Sequence, residues 1–165
     1  MVQRILAGLI LVGLATAAAA DPGKWNIERK TSVVDQSSNY FAVLMAENTV
    51  ANLIDEQAKP GLTVHCGTEG FLVTLHWPDF IETNGGDRAR IVWSLDGGKP
   101  ETRGWFAVEK AASFTGRDGR ALLQQLASVK RMAVRVPDRH GTQEAVFDLE
   151  GIAAVAAEVG PMRCG

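Results

Sequence analysis

The sequence predicts a mainly β, α+β domain, built either as an antiparallel β-sandwich or as one curved antiparallel sheet, with two helices packed on it. Three observations carry this expectation. Beyond residue 20, most apolar residues recur at every second position in short runs. Tight turns rich in Gly, Asn, Asp and Pro separate these runs; they join antiparallel neighbours and leave no room for the crossovers of a parallel sheet. Two later stretches change to helical spacing.

The first twenty residues read as a cleaved secretory signal. Arg4 and the amino terminus supply positive charge, and residues 5–14 form a short apolar run. Ala17-Ala18-Ala19-Ala20 offers the small-residue pattern that a signal peptidase reads, with Asp21-Pro22 just beyond. The apolar run falls short of the ~20 residues that span a bilayer. The expectation is one exported domain over residues 21–165, not membrane-embedded after cleavage, with a core of its own.

Within that domain, residues 25–34 and 39–47 are two strands split by the polar cluster Asp35-Gln36-Ser37-Ser38. Residues 51–59 lack a period and read as irregular. The clearest pattern follows. Leu62, Val64 and Cys66 alternate with Thr63 and His65, and Phe71, Val73, Leu75 and Trp77 alternate with Leu72, Thr74 and His76. Placing Cys66 opposite Phe71 sets Val64 against Val73 and Leu62 against Leu75, which makes one face of the hairpin apolar throughout. Pro78 has no donor and ends that strand.

After the turn Asn84-Gly85-Gly86-Asp87, a strand is marked by Ala89, Ile91, Trp93 and Leu95. Residues 104–108 and 111–115 are two further short strands. Thr115 and Asp118 are spaced as a capping-box variant before a helix whose apolar face is Leu122, Leu123, Leu126 and Val129. Met132, Val134 and Val136 alternate up to Pro137, which is expected to stop the strand. Residues 138–141 form a hairpin loop, and Ala145, Phe147 and Leu149 belong to the returning strand. Asp148 is placed to cap a second helix with the stripe Leu149, Ile152, Val155, Ala156 and Val159, halted by Gly160-Pro161.

The chain carries 17 Lys+Arg against 19 Asp+Glu, a net charge of −2 with both signs scattered. No basic stripe supports a nucleic-acid partner. The two cysteines, Cys66 and Cys164, form an even pair in an oxidising compartment and are expected to bond to each other. The hairpin register puts Cys66 on the core side, where the bond would tie the C-terminal segment onto the sheet.

Catalytic and metal chemistry find little to build on. His65 and Cys66 are adjacent on a strand and point to opposite faces. His65 and His76 share a face, about two pairs apart, too far for easy joint ligation. His140 reads as a solvated turn residue. No Gly-x-Ser-x-Gly elbow surrounds any serine. Paired acids such as Asp79 with Glu82, or Asp55 with Glu56, lie in polar connections. No catalytic residue, metal or cofactor is expected. Of the four tryptophans, Trp77 and Trp93 fall on apolar strand faces. Trp25 and Trp105 are candidate partner contacts, with core packing the favoured expectation for both.

The features taken together resemble a known family. Trp25 opens the exported chain, and Asp35-Gln36-Ser37 leads into a strand. Leu62-Thr63-Val64-His65-Cys66 and Ile91-Val92-Trp93-Ser94-Leu95-Asp96 follow, then Trp105, and the chain closes with Ala145-Val146-Phe147-Asp148-Leu149-Glu150-Gly151 and Cys164. This resembles the VasI-like (TagO) family of periplasmic proteins associated with type VI secretion, domains of mostly β structure. The chain departs from the family pattern where Ser94 and Leu95 precede Asp96, without a basic residue, and where it ends Cys164-Gly165. The resemblance implies an accessory protein of the envelope and carries over no catalytic residue.

The function expected from the sequence is that of a non-enzymatic periplasmic binding protein whose partner is an envelope or secretion-system protein. The alternative is a secreted inhibitor of a hydrolase, which would present an acidic loop bounded by Asp79 and Asp87 to a cationic enzyme. A hydrolase using carboxylates in a cleft is the third expectation.

Overall fold

The structure is a computed structural model that describes residues 21–34 and 36–165. The expected secretory signal and Asp35 of the first turn lie outside the described residues. In chain order the elements are β1 Asn26–Thr31, β2 Ser38–Met45, β3 Val50–Ala51, β4 Gln57–Ala58, β5 Gly61–Gly67, β6 Gly70–His76, β7 Arg88–Leu95, β8 Glu101–Val108, β9 Ala111–Thr115, α1 Gly116–Leu126, β10 Arg131–Asp138, β11 Gly141–Asp148 and α2 Ile152–Val159.

Nine strands form one antiparallel sheet in the order β1-β2-β5-β6-β9-β8-β7-β10-β11. The β5–β6 register pairs Cys66 with Phe71, Val64 with Val73 and Leu62 with Leu75. Those side chains are all buried, because a period of two sends every second residue to the core. The strands between β6 and β10 run in reverse. The chain leaves β6, lays down β7 three places away, and returns through β8 to set β9 against β6. Helix α1 then carries it across to β10.

The sheet curls until its two ends face each other, without closing into a barrel. Beyond β2 the chain crosses to β11 and satisfies its free edge. Glu47 N–H donates to Val146 O at 2.8 Å, and the Asn48 side chain both donates to Glu144 O (2.8 Å) and accepts from Val146 N–H (2.9 Å). The other edge, β1, carries Glu28, Arg29 and Lys30, charges that discourage pairing with a foreign strand. Arg29 reaches α2 through Glu158, with Nη2 to Oε2 at 2.6 Å.

One core serves the whole domain. Leu122, Leu123 and Leu126 of α1 and Ile152, Val155 and Val159 of α2 join the inner face of the sheet in it. Burial of each such side chain contributes on the order of 1.5–3 kcal/mol. Helix α1 lies close on β6 and β9 because Gly119 has no side chain; a Cβ there would sit 2.8 Å from Phe114 O. The Cys66 and Cys164 sulfurs are bonded, with Cα atoms 5.1 Å apart. Among the described residues no helix is long and apolar enough to cross a membrane.

Several local expectations are corrected. The stretch 51–59 is not wholly irregular, since β3 and β4 make a small hairpin within it. β8 begins at Glu101, three residues earlier than the apolar pattern indicates. β10 runs through Pro137 to Asp138, and the missing donor is tolerated because pairing with β7 has already ended at Arg135. Thr115 stands at the N-cap of α1 but its hydroxyl makes no capping bond. Asp148 ends β11, and Gly151 caps α2 instead.

Candidate functional site

Three connections converge at one end of the sheet. They are the 52–55 tip of the β3–β4 hairpin, the 77–82 segment after β6, and the two-residue turn Arg139-His140 between β10 and β11. The 77–82 segment is fixed by its backbone: Trp77 N–H donates to Lys110 O (2.7 Å), Ile81 N–H to Glu109 O (2.8 Å) and Glu82 N–H to Pro137 O (2.9 Å).

Two buried carboxylates organise the junction. Asp138 accepts from Trp77 Nε1 at 2.8 Å, Gln143 Nε2 at 2.7 Å and the His140 amide at 2.9 Å. Asp79, whose side chain is 0 % exposed, accepts from the Phe80 amide and from Arg139 Nε, each at 2.7 Å, and lies 3.2 Å from His140 Nε2. Burial acts to raise the Asp79 pKa, but the Phe80 amide and the Arg139 guanidinium outweigh it and hold the carboxyl below its ordinary value. The group therefore stays ionised at neutral pH. It holds no proton to donate, and its oxygens are already engaged.

Arg139 extends the network to the hairpin tip, donating to Asn52 O at 3.3 Å and to Leu53 O. His140 Nε2 lies 3.2 Å from Asn52 O. Arg139 Nε also faces that nitrogen, at 3.3 Å. The tip is also internally bonded, as Asn52 Oδ1 accepts the Ile54 and Glu56 amides, both at 3.0 Å. Around this rigid hub three apolar side chains face solvent: Leu53 at 38 %, Ile54 at 69 % and Phe80 at 46 % exposure. Lys110 Nζ lies 5.4 Å from the Phe80 ring centroid.

Other residues singled out in the sequence fall elsewhere. Trp25 (4 % exposed) and Trp105 (0 %) are core residues, so neither indole offers a surface anchor. The acidic loop is smaller than expected. Asp79 is withdrawn into the network, drawn in by Arg139, while Asp87 stays exposed. His65 packs against Phe41, ring centroids 5.1 Å apart, and His76 Nε2 meets Thr63 Oγ1 at 3.1 Å. His140 is an exposed turn residue, as expected, but its side chain is 24 % exposed and also engaged with Asp79. Among the described residues no group of three or more His, Cys, Asp or Glu is arranged to hold a metal ion. The run Trp77-Pro78-Asp79-Phe80-Ile81 did contain a signal for the hub, a single acid enclosed by apolar neighbours. Nothing local marks Arg139 as its partner.

No family model, curated protein or solved structure matches the chain.

The Asp79–Arg139 pair has a measurable consequence. A carboxyl whose folded pKa lies below its unfolded value of about 3.9 stabilises the fold above that pH and loses the contribution as pH falls through the folded value. Arg139→Ala strands a buried carboxylate, and is expected to cost about 2 kcal/mol near pH 7, discounted from full burial because Arg139 is 43 % exposed. Urea midpoints at neutral pH and near pH 3 should differ less in Asp79→Asn than in the wild type. An unchanged difference in that variant would show that Asp79 does not drive the acid sensitivity.

Proposed function

We propose that this protein is a non-enzymatic binding domain of the periplasm that docks on another envelope protein through Leu53, Ile54 and Phe80. The observation that carries the reading is the apolar trio itself, exposed around two buried, hydrogen-bonded carboxylates. Solvent-facing apolar groups on a preorganised support are what a protein interface uses as anchors, because little conformational freedom is lost on binding. The disulfide accords with an oxidising compartment, and the amino-terminal pattern supports export. The resemblance to the VasI-like family directs the search for a partner to type VI secretion components.

A photoreactive residue at position 54, introduced in the exporting cell, tests this. An adduct with a resident envelope protein is expected. Phe80→Asp, outside the labelled position, should remove the adduct and weaken binding of the isolated pair at least about 30-fold, as for an interface anchor. Retention of the adduct in a folded Phe80→Asp variant would sink the reading. The rigid 52–55 tip favours a second reading, a secreted inhibitor that inserts this loop into the cleft of a hydrolase. An adduct with a secreted hydrolase and loss of its activity would select it.

A further inference from the structure

The face of the sheet turned away from the core carries a hollow that backbone geometry does not explain. Across β2, β5 and β6, Met45 lies opposite Gly61, and Gly61 opposite His76. Gly61 does not adopt a positive φ. A Cβ added there would meet Met45 Sδ at 3.7 Å and His76 Cβ at 3.9 Å, both ordinary contact distances. Neither conformation nor crowding calls for glycine at this position, where it weakens a strand. What its missing side chain leaves is open space between two larger neighbours.

That space belongs to a hollow of about 300 Å³, the lower end of the range for small-molecule sites. Val43, Met45, Ala58 and Pro78 wall it with apolar surface. Among its lining residues, Thr63 Oγ1 and His76 Nε2 bond to each other at 3.1 Å. Desolvation lowers the His76 pKa, which keeps the imidazole neutral at neutral pH. This pair presents no charge to an occupant. One charged residue is among those lining this space. Lys59 lines the hollow, is exposed, and has no ion-pair partner among the described residues.

We propose that this hollow binds the alkyl chain of a small amphiphile whose single carboxylate headgroup pairs with Lys59. The apolar walls select the chain, and the positive charge of Lys59 selects an anion over a cation. None of Leu53, Ile54 and Phe80 lines the hollow, and its test does not depend on a protein partner.

Sodium octanoate titrated into the isotopically labelled protein, followed by backbone amide shifts, provides that test. Saturable shifts centred on Gly61, Thr63 and His76 are expected. Gly61→Val fills the hollow and should abolish them while the remaining spectrum stays native. Gly61→Ala, whose Cβ the strand accommodates, should weaken them and keeps the result readable if the valine disturbs folding. Lys59→Ala should weaken binding about fivefold, the upper range for a solvent-exposed ion pair. Non-saturating or scattered shifts in the wild type would overturn the proposal, as would undiminished binding in a folded Gly61→Val variant. Equal affinity for octyltrimethylammonium would overturn the selection for an anion.

Discussion

Removal of the Cys66–Cys164 bond is expected to lower stability by about 4–5 kcal/mol, the chain-entropy cost of releasing a loop of this size. The bonded residues are 98 apart in the chain, so the unfolded protein regains much conformational freedom when the link is lost. The native state should change far less. Arg120 holds the same C-terminal segment independently, donating to Gly160 O at 3.2 Å and Met162 O at 3.0 Å, while its guanidinium lies 4.6 Å from the Phe71 ring centroid. The Cys66→Ala/Cys164→Ala double variant and the reduced wild type should therefore keep a native far-ultraviolet spectrum and share a lowered urea midpoint. If the double variant keeps the midpoint of the oxidised protein, the link contributes nothing through the unfolded chain. A drop confined to the double variant would assign the loss to packing at Cys66, whose side chain is fully buried.

Trp105→Ala is expected to cost about 3–5 kcal/mol, through lost burial and the cavity that remains. Trp105 is the largest of the fully buried side chains. Its ring lies 4.7 Å from that of Phe114 and 6.3 Å, edge-on, from that of Trp93. Three aromatic rings thus pack across β7, β8 and β9, and deletion of the middle one leaves the other two without a partner. Trp105→Phe retains a ring and should lose far less. The indole N–H has no hydrogen-bond partner among the described residues, so its removal strands no acceptor. Chemical denaturation of the two variants beside the wild type decides the matter. A wild-type midpoint in Trp105→Ala, together with loss of a binding partner, would return this residue to the surface. Either this loss or that of the disulfide removes a large share of the roughly 5–15 kcal/mol that holds a typical domain together.

The β5–β6 hairpin was legible in the sequence to the residue. A slip of one position would expose Leu62, Val64, Phe71, Val73 and Leu75 together, so the alternation admits a single register. The presence of both helices was plain from their apolar stripes, but their bounds were not: Val129 and Leu149 lie outside them and neither expected cap forms. Glu101-Thr102-Arg103 gave no strand signal, because two of the three are exposed and the segment draws its order from pairing with β7. Pro137 misled because its effect depends on whether a neighbouring strand is still paired there. The hub was the least legible part. Asp79 stood out among apolar neighbours, but Arg139 and His140 looked like any polar turn.

The sequence by itself determined the class of fold, the inward face of most strands and the cysteine that faces the core, because these follow from a period of two or of 3.6 along a short stretch of chain. The tertiary structure alone decided which strands are neighbours and which charges are withdrawn from water. Asp79, Arg139 and Asn52 meet only when three distant connections share one end of the sheet. Gly61 becomes a hollow only when Met45 and His76 flank it across two strand pairings. Local pattern measures how apolar a face is, whereas a site depends on the distances between faces, and folding alone sets those.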